Sequence, residues 1–363
     1  MAQKQRYFCG VDFGGTAAKI GIVDEKGNLN GTERLEISSG QSYDDIFGMV
    51  AHCIRRRCRE LGVSVSAIGI GSPGFIDRNE GRVLQGSENL PAFKNRSLVK
   101  YLSEDFTLPV FADNDANCAA AGELQFGIGV GYDSFIMITL GAGVGGALVL
   151  EGRVFRGTRG LAGEIGHICL DAQGPFCTCG SRGCFEQYAC AAAIERSYRE
   201  KITKRGGSPR RSTPQPATPQ SATSLPATPQ PATSRPAAPG RGKPAGRSAR
   251  RSAGAATIQS ITAESIFRRA RAGDPSAREV VRETAWHIAR VFGNLVNIFN
   301  PQACIIGGGI SAAGEELLKP VQEYIADFAW PLPLAEVKIH TAALQNEAGV
   351  LGAAAQCLER LED

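Results

Sequence analysis

Strand and helix patterns alternate along this sequence, which predicts an α/β protein. One short unit, a strand followed by a glycine-rich turn and a returning strand, occurs twice, with turns at residues 12–16 (DFGGT) and 139–146 (TLGAGVGG). The 363 residues, 43% of them apolar, suffice for two domains with sizeable cores. We therefore expect an α/β fold whose two halves are similarly constructed.

The first half is predicted to open with a hairpin and to continue with alternating helices and strands. Apolar periodicity and turn residues indicate strands at residues 8–13 and 19–24, a helix at 42–61, a strand at 67–71, a helix at 97–106 and a strand at 109–112. The second half is predicted to contain a helix at 115–126, a hairpin of 135–140 with 144–150, helices at 184–201, from Thr262 and at 275–299, a strand at 303–306, a helix at 315–328, a strand at 336–341 and a helix at 349–361.

Residues 204–257 differ in composition from the rest of the chain. They contain ten Lys or Arg, no acidic residue and no aromatic residue, in a degenerate repeat of Pro, Thr, Ser, Ala and Gln. Because dense proline removes backbone donors and little here can be buried, we predict a disordered insertion within a domain. The ten charges exceed the net charge of +4, so the remainder is acidic. A tolerated surface insertion is favoured over a nucleic-acid contact.

The sequence lacks the features of a membrane or secreted protein. No apolar run approaches the roughly 20 residues of a membrane span. The first five residues are polar and too few for a signal peptide, and strand-like residues follow at once. We expect a cytoplasmic protein without membrane partners.

A cluster of metal-binding residue types follows the second hairpin. His167, Cys177, Cys179 and Cys184 offer one nitrogen and three thiolates to a tetrahedral Zn²⁺, and intervening glycines allow a short loop. Four protein ligands close such a site, which predicts a structural zinc. The alternative, buried or disulfide-bonded cysteines, is disfavoured without a secretory signal. Folding this loop would bring Glu164 and Glu186 next to the imidazole.

Two glycine-rich turns are candidate phosphate sites. They contain Gly14 with Gly15 and Gly141 with Gly143, and the glycine run at 307–309 after an apolar strand makes the combination more specific. Glycine lets backbone N–H groups point at an anion without obstruction, although a tight hairpin alone would use the same residues. Neither a P-loop nor a dinucleotide-binding fingerprint is present, since GxxxxGK[ST] is absent and the hairpin turns do not open helices.

Together these motifs resemble the ROK family (repressors, open reading frames, kinases) of the sugar kinase and actin-like ATPase superfamily. The resemblance rests on DFGGT, NDAN at 114–117, LGAGVGG, GEIGH, CxCGxxGCxE and NPxxxxxGGG, and runs from about residue 6 to 356 apart from the insertion. It implies two RNase H-like domains that close a cleft over ATP and a hexose. The first would comprise residues 1–112, completed by the helix at 349–363, and the second residues 113–348, with the zinc motif at 167–184 and the insertion at 204–257.

Asp115 is the predicted general base. It falls at the start of a predicted helix, where the helix dipole favours an ionised carboxylate. The simpler interpretation is that Asp113 or Asp115 is merely a helix N-cap. The resemblance favours catalysis, since the family's Asp in this motif takes the proton from the sugar's 6-hydroxyl.

The resemblance also implies nucleotide and metal contacts. Asp12 would reach Mg²⁺, directly or through water, while Thr16 and Lys19 beside the first glycine turn would meet the phosphates of ATP. Lys19 could equally be a solvated strand residue. Thr139, Gly141 and Gly143 would form the second phosphate turn, and Gly307, Gly308 and Gly309 would lie against adenosine.

The sugar contacts come from several segments. By resemblance they are Asn114, Glu164, His167 and Glu186, with Asn89 matching an asparagine of the family's glucokinases and Gly74 allowing a close backbone approach. His167 would serve twice, with one ring nitrogen on zinc and the other on a sugar hydroxyl.

The resulting hypothesis is an ATP-dependent hexose kinase with glucose as the favoured acceptor. Kinases of N-acetylmannosamine, N-acetylglucosamine, fructose and allose share nearly all these motifs and remain alternatives. A sugar-responsive repressor is disfavoured, because only five residues precede the first strand and leave no room for a helix-turn-helix. A catalytically silent sugar-binding protein is disfavoured by Asp12 and Asp115. The family implies a homodimer or homotetramer.

Overall fold

A computed structural model describes residues 5–38, 40–86, 90–206 and 261–362. In chain order its elements are β1 (Tyr7–Phe13), β2 (Ala17–Asp24), β3 (Leu29–Glu36), α1 (Tyr43–Leu61), β4 (Val65–Ser72), β5 (Phe75–Asp77), β6 (Arg82–Gln85), α2 (Lys100–Phe106), β7 (Val110–Asn114), α3 (Asp115–Phe126), β8 (Phe135–Leu140), β9 (Val144–Leu150), β10 (Arg153–Val154), α4 (Glu186–Ala189), α5 (Ala191–Gly206), α6 (Ala263–Arg271), α7 (Pro275–Phe299), β11 (Ala303–Gly307), α8 (Glu315–Tyr324), α9 (Pro331–Leu334), β12 (Lys338–Thr341) and α10 (Ala348–Glu362).

The first five-stranded sheet has the order β3-β2-β1-β4-β7. The strands β1, β2 and β3 pair antiparallel, whereas β1, β4 and β7 run parallel. Apolar side chains of its strands pack against α1 in a buried cluster. Since parallel strands end at the same edge of a sheet, Asp12 near the end of β1 and Asn114 at the end of β7 share that edge, separated by the end of β4.

The second five-stranded sheet repeats this connectivity with the order β10-β9-β8-β11-β12. Its hairpin β8–β9 is antiparallel, and β8, β11 and β12 are parallel. Thr139 near the end of β8 pairs with Gly307 at the end of β11, which brings the second glycine turn and the glycine run at 307–309 together. The α/β prediction is confirmed.

The C-terminal helix α10 packs against the first sheet rather than the second. Gly69 in β4 lies so close to this helix that a Cβ there would collide with the carbonyl of Ala353. Gly352 makes a similarly close approach to Cys118 of α3. Glycine is therefore required at both contacts, and α10 and α3 lie side by side between the sheets.

Several elements differ from the sequence prediction. The edge strand β3 was missed because its residues are mostly exposed and give little apolar signal. The predicted helix at 184–201 is two helices, broken at Cys190, whose extended backbone lets the N–H of Ala191 donate to the carbonyl of Gly141. The predicted helix at 315–328 ends at Tyr324 and continues as a 3₁₀ turn.

The predicted insertion at 204–257 lies outside the described residues except for its first three. Residues 204–206 are the last turn of α5, so the boundary predicted at 204 was wrong by that turn. Among the described residues, no helix is both long and apolar enough to cross a membrane.

Candidate active site

Asp115 begins helix α3, at the point where β7 leaves the first sheet. The N-cap is Asn114, whose side-chain Oδ1 accepts from the backbone N–H groups of Ala116 at 2.9 Å and Asn117 at 3.3 Å. The alternative that Asp113 or Asp115 is the N-cap is therefore wrong. With Asn114 satisfying the helix terminus, the carboxylate of Asp115 can face a substrate.

Burial and charge make Asp115 unusually basic. Desolvation, then the negative charge of Asp12 and a smaller contribution from Glu164, raise the pKa of Asp115 to about 6. The N–H of Ala116 opposes this effect by donating to Oδ1 at 2.9 Å. A carboxylate with this pKa is largely ionised at neutral pH yet accepts a proton more readily than an ordinary aspartate.

Asp12 lies at the end of β1, against the first turn of α10. A Cβ on Gly349 would collide with the carboxyl group of Asp12, so the helix approaches it closely. Burial raises the pKa of Asp12, and the nearby charge of Lys19 lowers it. Lys19 is half-buried and its Nζ donates to the carbonyl of Asn346 at 2.9 Å, so it is not merely solvated.

The glycine turns lie at the ends of the central strands. The first, residues 14–16, is exposed and closes through a 2.8 Å hydrogen bond from the N–H of Gly14 to the carbonyl of Ala17. In the second, the N–H of Gly141 donates to the carbonyl of Gly143 at 2.9 Å. The β9 end of this second turn lies beside α3, since a Cβ on Gly145 would stand 3.0 Å from Cβ of Ala116.

The third glycine run follows β11 and packs on the second turn. Gly308 has φ +78°, and a Cβ there would collide with the backbone of Leu140. Gly309 opens a 3₁₀ helix, Gly309–Ala313, and faces open space. The run therefore leaves room for a ligand beside its last glycine.

The four predicted metal ligands converge. One ligand atom from each of His167, Cys177, Cys179 and Cys184 lies within 4.8 Å of the others. Nδ1 of His167 is 3.5 Å from Sγ of Cys177, and Sγ of Cys179 is 3.6 Å from Sγ of Cys184. Two sulfurs each about 2.3 Å from a tetrahedral ion stand about 3.8 Å apart, so this arrangement fits Zn²⁺.

The metal cluster borders the predicted sugar contacts. Whereas Nδ1 of His167 faces the cysteines, its Nε2 lies 3.8 Å from Oε2 of Glu164. Burial raises the pKa of Glu164, opposed by His167 and supported by the charge of Glu186. We call residues 164–186, which include the four metal ligands, the metal loop. Oε2 of Glu186 accepts from the N–H of Val144 at 3.1 Å, which connects this loop to the second glycine turn.

The remaining predicted sugar residues come from the first sheet. The side-chain amide of Asn114 donates to the carbonyl of Gly74 at 3.2 Å. Gly74 has φ +97°, which favours glycine and directs its carbonyl towards α3. Asn89 lies outside the described residues.

Sequence reasoning missed a buried ion-pair network behind Asp115. Arg156 donates to Asp113 at 2.6 Å and to Glu359 at 2.9 Å, and Arg78 also donates to Glu359, at 3.0 Å. The partners Arg156 and Glu359 are 203 residues apart, so no local pattern signals their contact. One residue could have indicated the network: Asp113, an acidic side chain immediately before the N-cap Asn114, is buried in the sheet.

Comparison with known proteins identifies the family. The ROK family matches residues 8–360. The chain belongs to this family. It is 32% identical to a glucokinase of Thermotoga maritima, over 97% of each chain. It is 28% identical to a ROK family glucokinase of Streptomyces griseus, solved with glucose and AMPPNP, covering 97% of this chain and 98% of that one with a TM-score of 0.72. It is also 27% identical to a xylose repressor of Caldicellulosiruptor bescii, over 96% of this chain and 77% of the repressor.

Proposed function

We propose that this ROK protein is an ATP-dependent hexose kinase that transfers the γ-phosphoryl group to the 6-hydroxyl of glucose. The observation that carries the proposal is the carboxylate of Asp115, held at a helix N-terminus with a pKa of about 6 beside Asp12. A group of this basicity can take the hydroxyl proton as the oxygen attacks phosphorus. The glucokinase relatives support the same reaction.

The sugar would lie between the two sheets, in contact with residues from both. Asn114 and the backbone at Gly74 would meet it from the first sheet, with Asn89 as a further contact expected from the sequence. Glu164, His167 and Glu186 would meet it from the metal loop. A pocket that pairs each hydroxyl rejects stereoisomers because a wrong epimer leaves buried polar groups unpaired.

The nucleotide would lie along the glycine turns. Gly14, Gly15, Thr16 and Lys19 would contact phosphates from the first sheet. Thr139, Gly141 and Gly143 would do so from the second, and residues 307–309 would pack on adenosine. Asp12 would hold Mg²⁺, which supplies positive charge to the phosphates when bound. The backbone N–H groups of the turns then stabilise charge on the transferred group.

Zinc would hold the metal loop in the conformation that the sugar site needs. His167, Cys177, Cys179 and Cys184 would bind it and leave no open position, so its contribution is structural. We further propose two domains, residues 1–112 with the helix at 349–363 and residues 113–348, and a homodimeric or homotetrameric assembly.

A second candidate is a kinase for a related sugar, since the relatives include several ROK specificities. The test is an ADP-release assay over glucose, mannose, N-acetylmannosamine, N-acetylglucosamine, fructose and allose. We expect the highest kcat/KM for glucose. A tenfold preference for an N-acetylhexosamine would replace glucose as the substrate.

A ROK regulator is the other class, favoured by the similarity to the xylose repressor. Calorimetric binding of one of the six sugars, together with no ADP release on any of them, would reject the kinase and support this regulator.

A further inference from the structure

A buried ion-pair network lies directly behind the strand end that carries Asp115. Arg156 is 9% exposed and Asp113 1% exposed, and Nε of Arg156 donates to Oδ2 of Asp113 at 2.6 Å. The two terminal nitrogens of Arg156 donate to the two carboxylate oxygens of Glu359, each at 2.9 Å. One planar guanidinium thus connects β7 to α10.

Asp113 also holds the first turn of α3 by hydrogen bonds. Its second oxygen, Oδ1, accepts from the backbone N–H of Asn114 at 2.8 Å and from the side-chain amide of Asn117 at 3.0 Å. Asn114 and Asn117 flank Asp115 in the sequence. The orientation of the Asp113 carboxylate therefore determines how the first turn of α3, and with it Asp115, is presented to the cleft.

A second arm of the network reaches the hairpin β5–β6. Nη2 of Arg78, the residue after β5, donates to Oε1 of Glu359 at 3.0 Å. The opposite end of β5 follows Gly74, whose carbonyl accepts from the side chain of Asn114. One end of the hairpin is therefore bonded to α10, and the other end to Asn114 at the end of β7.

The metal-loop side of the site is anchored separately. A Cβ on Gly146 would collide with Ile165, and one on Gly166 with the carbonyl of Val144, so the segment around Glu164 packs directly on β9. Displacing Arg156 would thus disturb the base more than the sugar contacts on the metal loop.

We propose that Arg156 is a positioning residue for phosphoryl transfer. It holds Asp113, and through Asp113 it holds the helix turn that aims Asp115 at the acceptor hydroxyl. This inference rests on the proposed kinase function. Arginine suits the role because its planar fork makes three hydrogen bonds in fixed directions, whereas the single ammonium of lysine cannot span both carboxylates with that geometry.

The test compares Arg156→Lys and Arg156→Met with the control Arg159→Met, which removes a 65% exposed arginine from the same loop. We expect both Arg156 variants to lose about 10- to 100-fold in kcat, because a misplacement of about 1 Å can cost 100-fold. Their Kd for glucose without nucleotide should rise much less than kcat falls, by about threefold at most, because Asn114 shares the displaced turn whereas Glu164 and Glu186 do not. The control should match wild type in both.

Two results would overturn the proposal. Wild-type kcat in Arg156→Lys would show that only the positive charge matters. A parallel loss of glucose affinity and kcat would show a general structural role.

If both Arg156 variants fail to fold, Glu359→Gln decides, since this side chain is 30% exposed and the change keeps its shape. We expect a kcat loss of about threefold or more with unchanged glucose affinity, whereas wild-type kcat would reject the proposal. A wild-type protein that turns over no hexose would instead overturn the proposed function, and this inference with it.

Discussion

As the proposed general base, Asp115 must be ionised to accept a proton and still basic enough to hold it as the phosphoryl group moves. Its environment meets both needs, because burial and the charge of Asp12 raise its pKa while the N–H of Ala116 still donates to it. Asn114, and not Asp115, is the N-cap of α3, so the Asp115 carboxylate is not needed for capping.

Asp115→Ala should abolish turnover while leaving the fold, bound zinc and glucose affinity nearly unchanged. A general base typically contributes about 10²- to 10⁴-fold, so kcat should fall within or beyond that range. Steady-state kinetics and calorimetric glucose binding measure the two effects. Asp44→Ala, which removes an exposed acid from the first turn of α1, serves as the control and should keep kcat within about twofold. A loss below tenfold in Asp115→Ala would remove Asp115 as the base.

The pH dependence of kcat/KM should report the raised pKa of Asp115. The active form is the ionised carboxylate, so activity should be full above the pKa of about 6 and should fall tenfold per unit below it. With an unperturbed aspartate, kcat/KM would fall only below about pH 3.9. Initial rates from about pH 5 to 8, with the coupling enzymes in excess, locate the midpoint. Constant kcat/KM down to pH 5 would contradict the assignment.

At the level of elements, hydrogen bonds join the metal loop to the second glycine turn, between β8 and β9. Glu186 accepts from the turn after β8, and the break between α4 and α5 exists where Ala191 donates to the same turn. The loop and the second glycine turn therefore form one continuous hydrogen-bonded unit. A substitution that displaces one of them should therefore displace the other.

Cys179→Ser should remove zinc and, with it, sugar affinity and thermal stability. A closed metal site contributes folding free energy directly, and His167 would lose the orientation that points Nε2 at Glu164. Metal analysis should find about one zinc per wild-type chain and none in the variant. Cys169→Ser, an exposed cysteine outside the cluster, is the control and should keep its zinc. Wild-type protein purified without zinc would refute the site.

Gly308→Ala should destabilise the protein, whereas Gly309→Ala should not. Gly308 has φ +78° and a new Cβ would collide with Leu140, while the same atom on Gly309 would meet open space. Strain of this kind costs about 2 kcal/mol of unfolding free energy. Urea denaturation of the two variants measures the difference. Equal stabilities would show that the turn relaxes freely.

At the scale of the whole molecule, the two sheets repeat one connectivity and α10 returns to the first of them. The network of Arg78, Asp113, Arg156 and Glu359 joins these distant segments of the chain behind the site. Elsewhere in the chain, residues 207–260, outside the described part, fall between α5 and α6. Beyond this segment, Ile261 lies beside α5, since Arg199 donates to its carbonyl at 3.2 Å.

Deleting residues 208–254 should leave kcat and the KM for the sugar within about twofold of wild type. Leu225 is the only large apolar residue that could anchor the segment, and shortening a flexible loop changes its closure entropy little. Kinetics and light scattering on the shortened chain measure activity and assembly. Lost activity or a changed oligomeric state would show that the segment is a functional element.

The sequence alone determined the α/β class, most element boundaries and the metal cluster. Helices 115–126 and 275–299 and the hairpin 135–150 were predicted at their observed bounds, because apolar periodicity and glycine turns are local signals. The four metal ligands were predictable because three lie within eight residues of one another and the fourth only ten residues earlier. Family motifs supplied Asp12 and Asp115.

Tertiary structure alone decided the pKa values and the hydrogen-bond partners of those residues. The pKa of Asp115 depends on burial and on Asp12, over a hundred residues away in sequence, and the pairing of Arg156 with Glu359 joins segments 203 residues apart. The same holds for the break at Cys190, which a hydrogen bond to Gly141 stabilises. Desolvation and ion pairing depend on distances in the folded chain, and no pattern of neighbouring residues encodes them.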